Sequence, residues 1–140
     1  MNTRIVTVMC AVLIAANLCF GRDDAKERKV FERRIESAKK NLIVGLRSQN
    51  RGVVEASVKM TASIKLLVPS EDMSELEEEL NVLSTRDPSP IVRYKAYIAS
   101  SICSNPEWFV HWIDSSSDDD AFYINAGDRL RQKLFGMNAP

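Results

Sequence analysis

The chain has 140 residues, with 19 basic side chains against 19 acidic ones and a single histidine. That balance supplies no basic stripe, so nucleic acid is not an expected partner. One histidine and no phosphate-cradling glycine loop also exclude the commonest zinc and nucleotide sites.

Met1 to Arg4 is a short segment with one positive charge, and Ile5 to Phe20 carries only Thr7 and Asn17 as polar side chains. This stretch is too short to span ~30 Å of hydrocarbon comfortably as a helix. It fits the apolar region of a cleavable secretory signal. A cut after Gly21 leaves Cys19 and Gly21 at the small-residue positions, and a cut after Ala16 is the alternative. Residues 1–21 are therefore read as a signal peptide and 22–140 as an exported domain, periplasmic or secreted. The competing reading is a buried N-terminal helix. A helix apolar on every side, followed at once by a charged one, has no obvious place in so small a domain. Ala16-Asn17-Leu18 before Cys19 is a poor match to a bacterial lipid-attachment site. Removing the signal takes Cys10 and Cys19 with it, so Cys103 stands alone and no intramolecular disulfide forms. Cys103 lies among Ile98, Ala99 and Ile102 and reads as a small buried hydrophobe. Loss of Arg4 leaves 18 basic against 19 acidic residues, a net of −1. No long apolar run remains, so no membrane contact beyond the signal is expected.

In chain order, Asp24 to Ser48 reads as one long helix. Phe31, Ile35, Ala38, Leu42 and Leu46 form an apolar stripe, with Lys26 to Lys29 and Glu32 to Arg34 on a solvated face. Ser48 to Gly52 is a turn. A second helix runs from Val53 to about Val68 with the stripe Val53, Ser57, Met60, Ile64 and Leu67, and Pro69 stops it. Asp72 opens a third helix, with Glu75 placed to complete a capping box. Its stripe is Met73, Leu76, Leu80 and Leu83. Ser89 caps a fourth helix, Ile91 to about Ser104, with Pro90 at its first position. Asn105-Pro106 starts a fifth, short helix, Glu107 to Ile113. After the polar linker Ser115 to Asp120 comes a last helix to Phe135, with Phe122, Ala126, Leu130 and Leu134 on one side. No alternating run is long enough for a strand, and the class is all-α.

Two helix pairs, about 24–68 and 72–104, can be superposed. Val53 to Ser57 aligns with Val92 to Ala96 at an offset of 39, and Leu46 with Leu83 at 37. Helical repeats show such a period, because one pair cannot bury its own stripe and pairs must stack. Leu83 to Ala96, with Asp87, Pro88, Pro90, Val92, Arg93 and Ala96, resembles the HEAT-repeat family. The resemblance implies a short right-handed α-solenoid with residues 106–136 as a C-terminal cap. It implies a structural bond between loop Asp87 and helix Arg93. The first repeat has Ser48 and Val54 at these positions, so no charge ladder follows. It also implies that second helices line a concave partner face, where Lys59 and Ser63 would sit with Glu55 near Tyr94, Lys95 and Tyr97.

No residue pattern carries catalysis. His111 has no cysteine or second histidine at ligand spacing and no nucleophile elbow nearby. Trp108 and Trp112, four apart, read either as an exposed aromatic platform or as the seal over the last repeat, and the seal is preferred. Asp118 to Asp120 lack the alternating ligands of a calcium loop and read as helix-start charge, so Asp119 is expected to matter little. Glu77 to Glu79 read as a solvated face. No metal or cofactor is implied. The expected role is a non-enzymatic protein-interaction module. The rivals are a small hydrolase-like enzyme and a structural subunit of an envelope assembly. Self-association through an open repeat edge is a further expectation.

Overall fold

A computed structural model describes residues 24–111 and 118–136, and every regular element among them is helical. The expected signal peptide, Trp112, Ile113 and residues 115–117 of the linker lie outside the described residues. The helices are α1 (Asp24–Leu46), α2 (Arg51–Leu67), α3 (Ser74–Arg86), α4 (Pro90–Ser104) and α5 (Asp119–Phe135). A 3-10 turn, Pro106–Trp108, stands between α4 and α5.

Side-chain caps set most of the helix starts. Asn50 accepts from the amides of Gly52 (3.0 Å) and Val53 (3.4 Å), so α2 begins at Arg51, two residues before the expected start. Ser89 caps Val92 N at 3.4 Å, with Pro90 at the first helical position as expected. Asp118 accepts from Ala121 N at 2.9 Å, and α5 ends on Gly136 in the left-handed region at φ 61°. The capping box is not made. Met73 is buried and occupies the cap position of α3, which pushes Asp72 one residue too early. Asp72 Oδ1 accepts from Ser74 N at 3.0 Å instead, and Glu75 stays exposed.

The two turns that precede α2 and α4 share a geometry. Ser48 Oγ accepts from Asn50 N at 3.1 Å, and Asp87 Oδ1 accepts from Ser89 N at 2.8 Å. In each case a short polar side chain braces the amide of the residue that caps the helix. Both positions recur at the 39-residue offset (48 to 87, 50 to 89). Arg93 does reach this turn, but its Nη1 donates to the carbonyls of Asp87 (2.6 Å) and Pro88 (3.2 Å), not to the Asp87 carboxylate.

Helix α4 is the hub of the second of two units into which the chain divides, between Ser37 and Ala38. It packs on α3, α2, α5 and the 3-10 turn, so it buries residues on several sides: Val92, Ala96, Ile98, Ala99, Ile102 and Cys103. Leu42, Leu46, Leu76, Leu80, Phe109, Phe122, Ala126 and Leu130 complete much of this core. Fully burying a large aliphatic or aromatic side chain stabilises by about 1.5–3 kcal/mol. Gly45 is where α1 meets α2: an added Cβ would lie 3.1 Å from Ser57 Cβ and closer still to its hydroxyl.

Three expectations need correction. The buried face of α2 is Val54, Ser57, Val58, Thr61, Ala62 and Leu66, while Val53, Met60 and Leu67 are exposed. Adjacent positions are about 100° apart on a helix, so the inward face is turned by one residue from the expected stripe. Of the short helix expected over Glu107 to Ile113, the described residues form only the 3-10 turn Pro106–Trp108, and the fully buried Phe109 follows a partly buried Trp108 that packs on the core. The stripe of α1 is buried only at its end. Leu42 and Leu46 are in the core, but every residue from Ala25 to Arg34 is exposed, Phe31 among them.

Candidate functional site

The turned face of α2 leaves an apolar ridge in solvent. Val53, Met60 and Leu67 follow one another at seven-residue steps along the helix, with exposures of 43, 54 and 71%. The small side chains Ala56 and Ser63 lie between them. Gly52, Glu55, Ala56, Lys59, Met60, Ser63, Leu67 and Asp119 line a shallow groove of about 720 Å³. Ala56, Lys59, Met60 and Ser63 are at i, i+3, i+4 and i+7. Four residues so spaced form a hole into which one side chain of a packing helix fits.

One edge of the groove is electrostatic. Glu55 Oε2 accepts from Lys95 Nζ at 2.6 Å, and its Oε1 accepts from Arg51 Nε at 2.8 Å. Asp119, at the start of α5, pairs with Lys59 at 2.9 Å and reaches Lys95 at 3.7 Å. The bond from Lys95, then that from Arg51, lowers the Glu55 carboxyl from its ordinary value. The bond from Lys59 does the same for Asp119. Each ammonium also lies over an aromatic ring of α5, Lys59 at 5.7 Å from the centre of Phe122 and Lys95 at 5.2 Å from that of Tyr123. The buried Tyr123 hydroxyl takes no hydrogen bond among the described residues, and burial holds its pKa well up.

Of the residues singled out from the sequence, Glu55 bonds Lys95, and Lys59 and Lys95 meet at Asp119, while Tyr94 and Tyr97 do not line the groove. Lys59 and Ser63 do line the groove. Lys95 does not present a charge to solvent, because its side chain is 12% exposed between Glu55 and Asp119. Tyr94 is half exposed, yet its hydroxyl donates to Tyr123 O at 3.4 Å, and a Cβ on Gly127 would run into it. Its role includes docking α5. Tyr97 is half exposed and outside the groove. Asp119, expected to be incidental, joins α2, α4 and α5. Met60 and Leu67, which helical spacing assigns to the core, line the groove instead.

The other candidates carry less. Trp108 is partly buried against the core, and its carbonyl accepts from Arg129 Nε at 2.9 Å. His111 is exposed. Burial, then the charge of Glu77, pushes the Cys103 thiol up to about 12, which suits an unreactive core position. Among the described residues no three potential metal ligands cluster, and no helix is long and apolar enough to cross a membrane. No family model matches the chain, and no curated protein or solved structure is significantly similar to it.

Proposed function

We propose that this chain is a non-enzymatic interaction module that binds an amphipathic helix of another protein along the outer face of α2. The single observation that carries the reading is the exposed ridge Val53, Met60 and Leu67, interleaved with Ala56 and Ser63. Large apolar side chains at heptad steps, with small ones between, suit helix-in-groove recognition, where anchors of the partner enter the holes. The edge formed by Glu55, Lys59 and Asp119 is already neutralised within the chain, so it excludes water and sets orientation more than it supplies net attraction.

We further propose that the helix pairs form a short solenoid of HEAT type and that the chain is exported. The repeated braced caps before α2 and α4 support the first statement, as does the packing of α4 on both α2 and α3. The uncharged run Ile5 to Phe20 behind Arg4 supports the second. The test compares proteins of an envelope extract retained by the immobilised wild type, by Met60→Asp and by Tyr97→Ala. A specific band retained by wild type and Tyr97→Ala but lost with Met60→Asp is the expected result. Equal retention by all three overturns the α2 assignment.

A further inference from the structure

We infer that the exposed first half of α1 pairs with the same segment of a second copy, antiparallel, through a face made of Glu27, Val30, Phe31 and Arg34. These four residues line one shallow hollow together with Lys26. They stand at i, i+3, i+4 and i+7, so they share one side of the helix. Val30 is 40% and Phe31 50% exposed, and among the described residues neither Glu27 nor Arg34 is in an ion pair. A helical segment of this length is marginal in water unless an apolar side is packed, and this one has every residue from Ala25 to Arg34 exposed.

What identifies the occupant is the order of charges. The midpoint between Val30 and Phe31 is also the midpoint between Glu27 and Arg34. A two-fold axis through that point sets Val30 against the second copy's Phe31 and Glu27 against its Arg34, and then repeats both contacts in reverse. The face is therefore complementary to itself only when antiparallel; a parallel pairing sets Glu27 against Glu27 and Arg34 against Arg34. Two ion pairs flanking four apolar side chains make a small, isologous interface, and the dimer is expected to be weak and concentration-dependent.

Sedimentation equilibrium of the purified protein over a wide concentration range tests this. Glu27→Arg and Arg34→Glu should each weaken dimerisation about tenfold, since each turns two attractive pairs into repulsive ones. The double exchange Glu27→Arg with Arg34→Glu should restore the wild-type constant, and an equimolar mixture of the two single variants should dimerise more tightly than either alone. Phe31→Asp should be monomeric with the wild-type urea midpoint of the monomer, since residue 31 is outside the core. A wild type that stays monomeric at every concentration overturns the inference. So does a dimer that Phe31→Asp leaves intact, or a double exchange that fails to recover.

Discussion

Lys95 Nζ stands 2.6 Å from Glu55 Oε2, joining α4 to α2 across forty residues of sequence. The two side chains are 12 and 21% exposed, so solvent screens this pair less than an ordinary surface ion pair. A double-mutant cycle of Glu55→Gln and Lys95→Met in urea should give a coupling of about 1 kcal/mol. Asp119→Ala should cost a similar amount, about 1 kcal/mol, because it removes a carboxylate from a helix start and from both lysines. Additive single variants would show that the junction is not energetically joined.

Acid should loosen this junction. Lysine partners hold Glu55 and Asp119 below their ordinary values. The unfolded chain then binds protons that the folded chain does not, so stability falls as pH falls. The contribution is fully present above the ordinary carboxylate range and is lost as pH drops through the lowered folded values. Urea midpoints measured from neutral pH downward should decline less steeply in Glu55→Gln with Asp119→Asn than in the wild type. Parallel declines would place the acid sensitivity elsewhere.

The turn before α4 yields a sharper distinction. The Asp87 carboxylate braces Ser89 N, while Arg93 binds the carbonyls of Asp87 and Pro88. Asp87→Ala and Arg93→Ala should each cost about 1 kcal/mol. The two side chains do not bond each other but meet through the turn backbone, so their coupling should stay below about 1 kcal/mol. A coupling well above that value would restore the direct carboxylate–guanidinium pair that the family resemblance implies.

Phe109, and not Trp108, should be the aromatic on which the C-terminal packing depends. Phe109 is fully buried, whereas Trp108 is only partly so, and its bond to Arg129 uses the backbone carbonyl, which survives substitution. Phe109→Ala should cost about 3–5 kcal/mol, a large share of a typical total stability of about 5–15 kcal/mol. Trp108→Ala should cost clearly less. Thermal or urea midpoints decide the order.

Much of the fold was legible in local chemistry. Ser89 with Pro90, Asp118 before α5 and the turn residues around Asn50 act through one or two bonds within a few residues, so their sequence neighbourhood suffices. The orientation of α2 was not. Val53, Ser57, Met60, Ile64 and Leu67 compete with Val54, Val58, Ala62 and Leu66, and both series have helical spacing. Tertiary packing buries the second series, with Ser57 kept inside because Gly45 lets it approach α1, and α4 is the main partner of α2. For the same reason helical spacing alone places the groove residues Met60 and Leu67 in the core. The resemblance already sets Glu55 near Lys95, and what residue types do not supply is Asp119, distant in sequence, which closes the other side of the ammonium. The bond between Arg93 and the Asp87 turn was anticipated, but its acceptor atoms depend on a backbone geometry that residue types do not encode.

The outer face of α2 is the surface proposed to receive another protein. A photoreactive benzophenone amino acid placed at Met60, and as a control at Ile124 on α5, reports it directly in living cells. Both side chains are more than half exposed, so neither placement disturbs the core. Illumination should produce one discrete, higher-mass adduct from position 60 that is absent from position 124. No adduct at position 60, or the same ladder of adducts from both positions, would contradict the account.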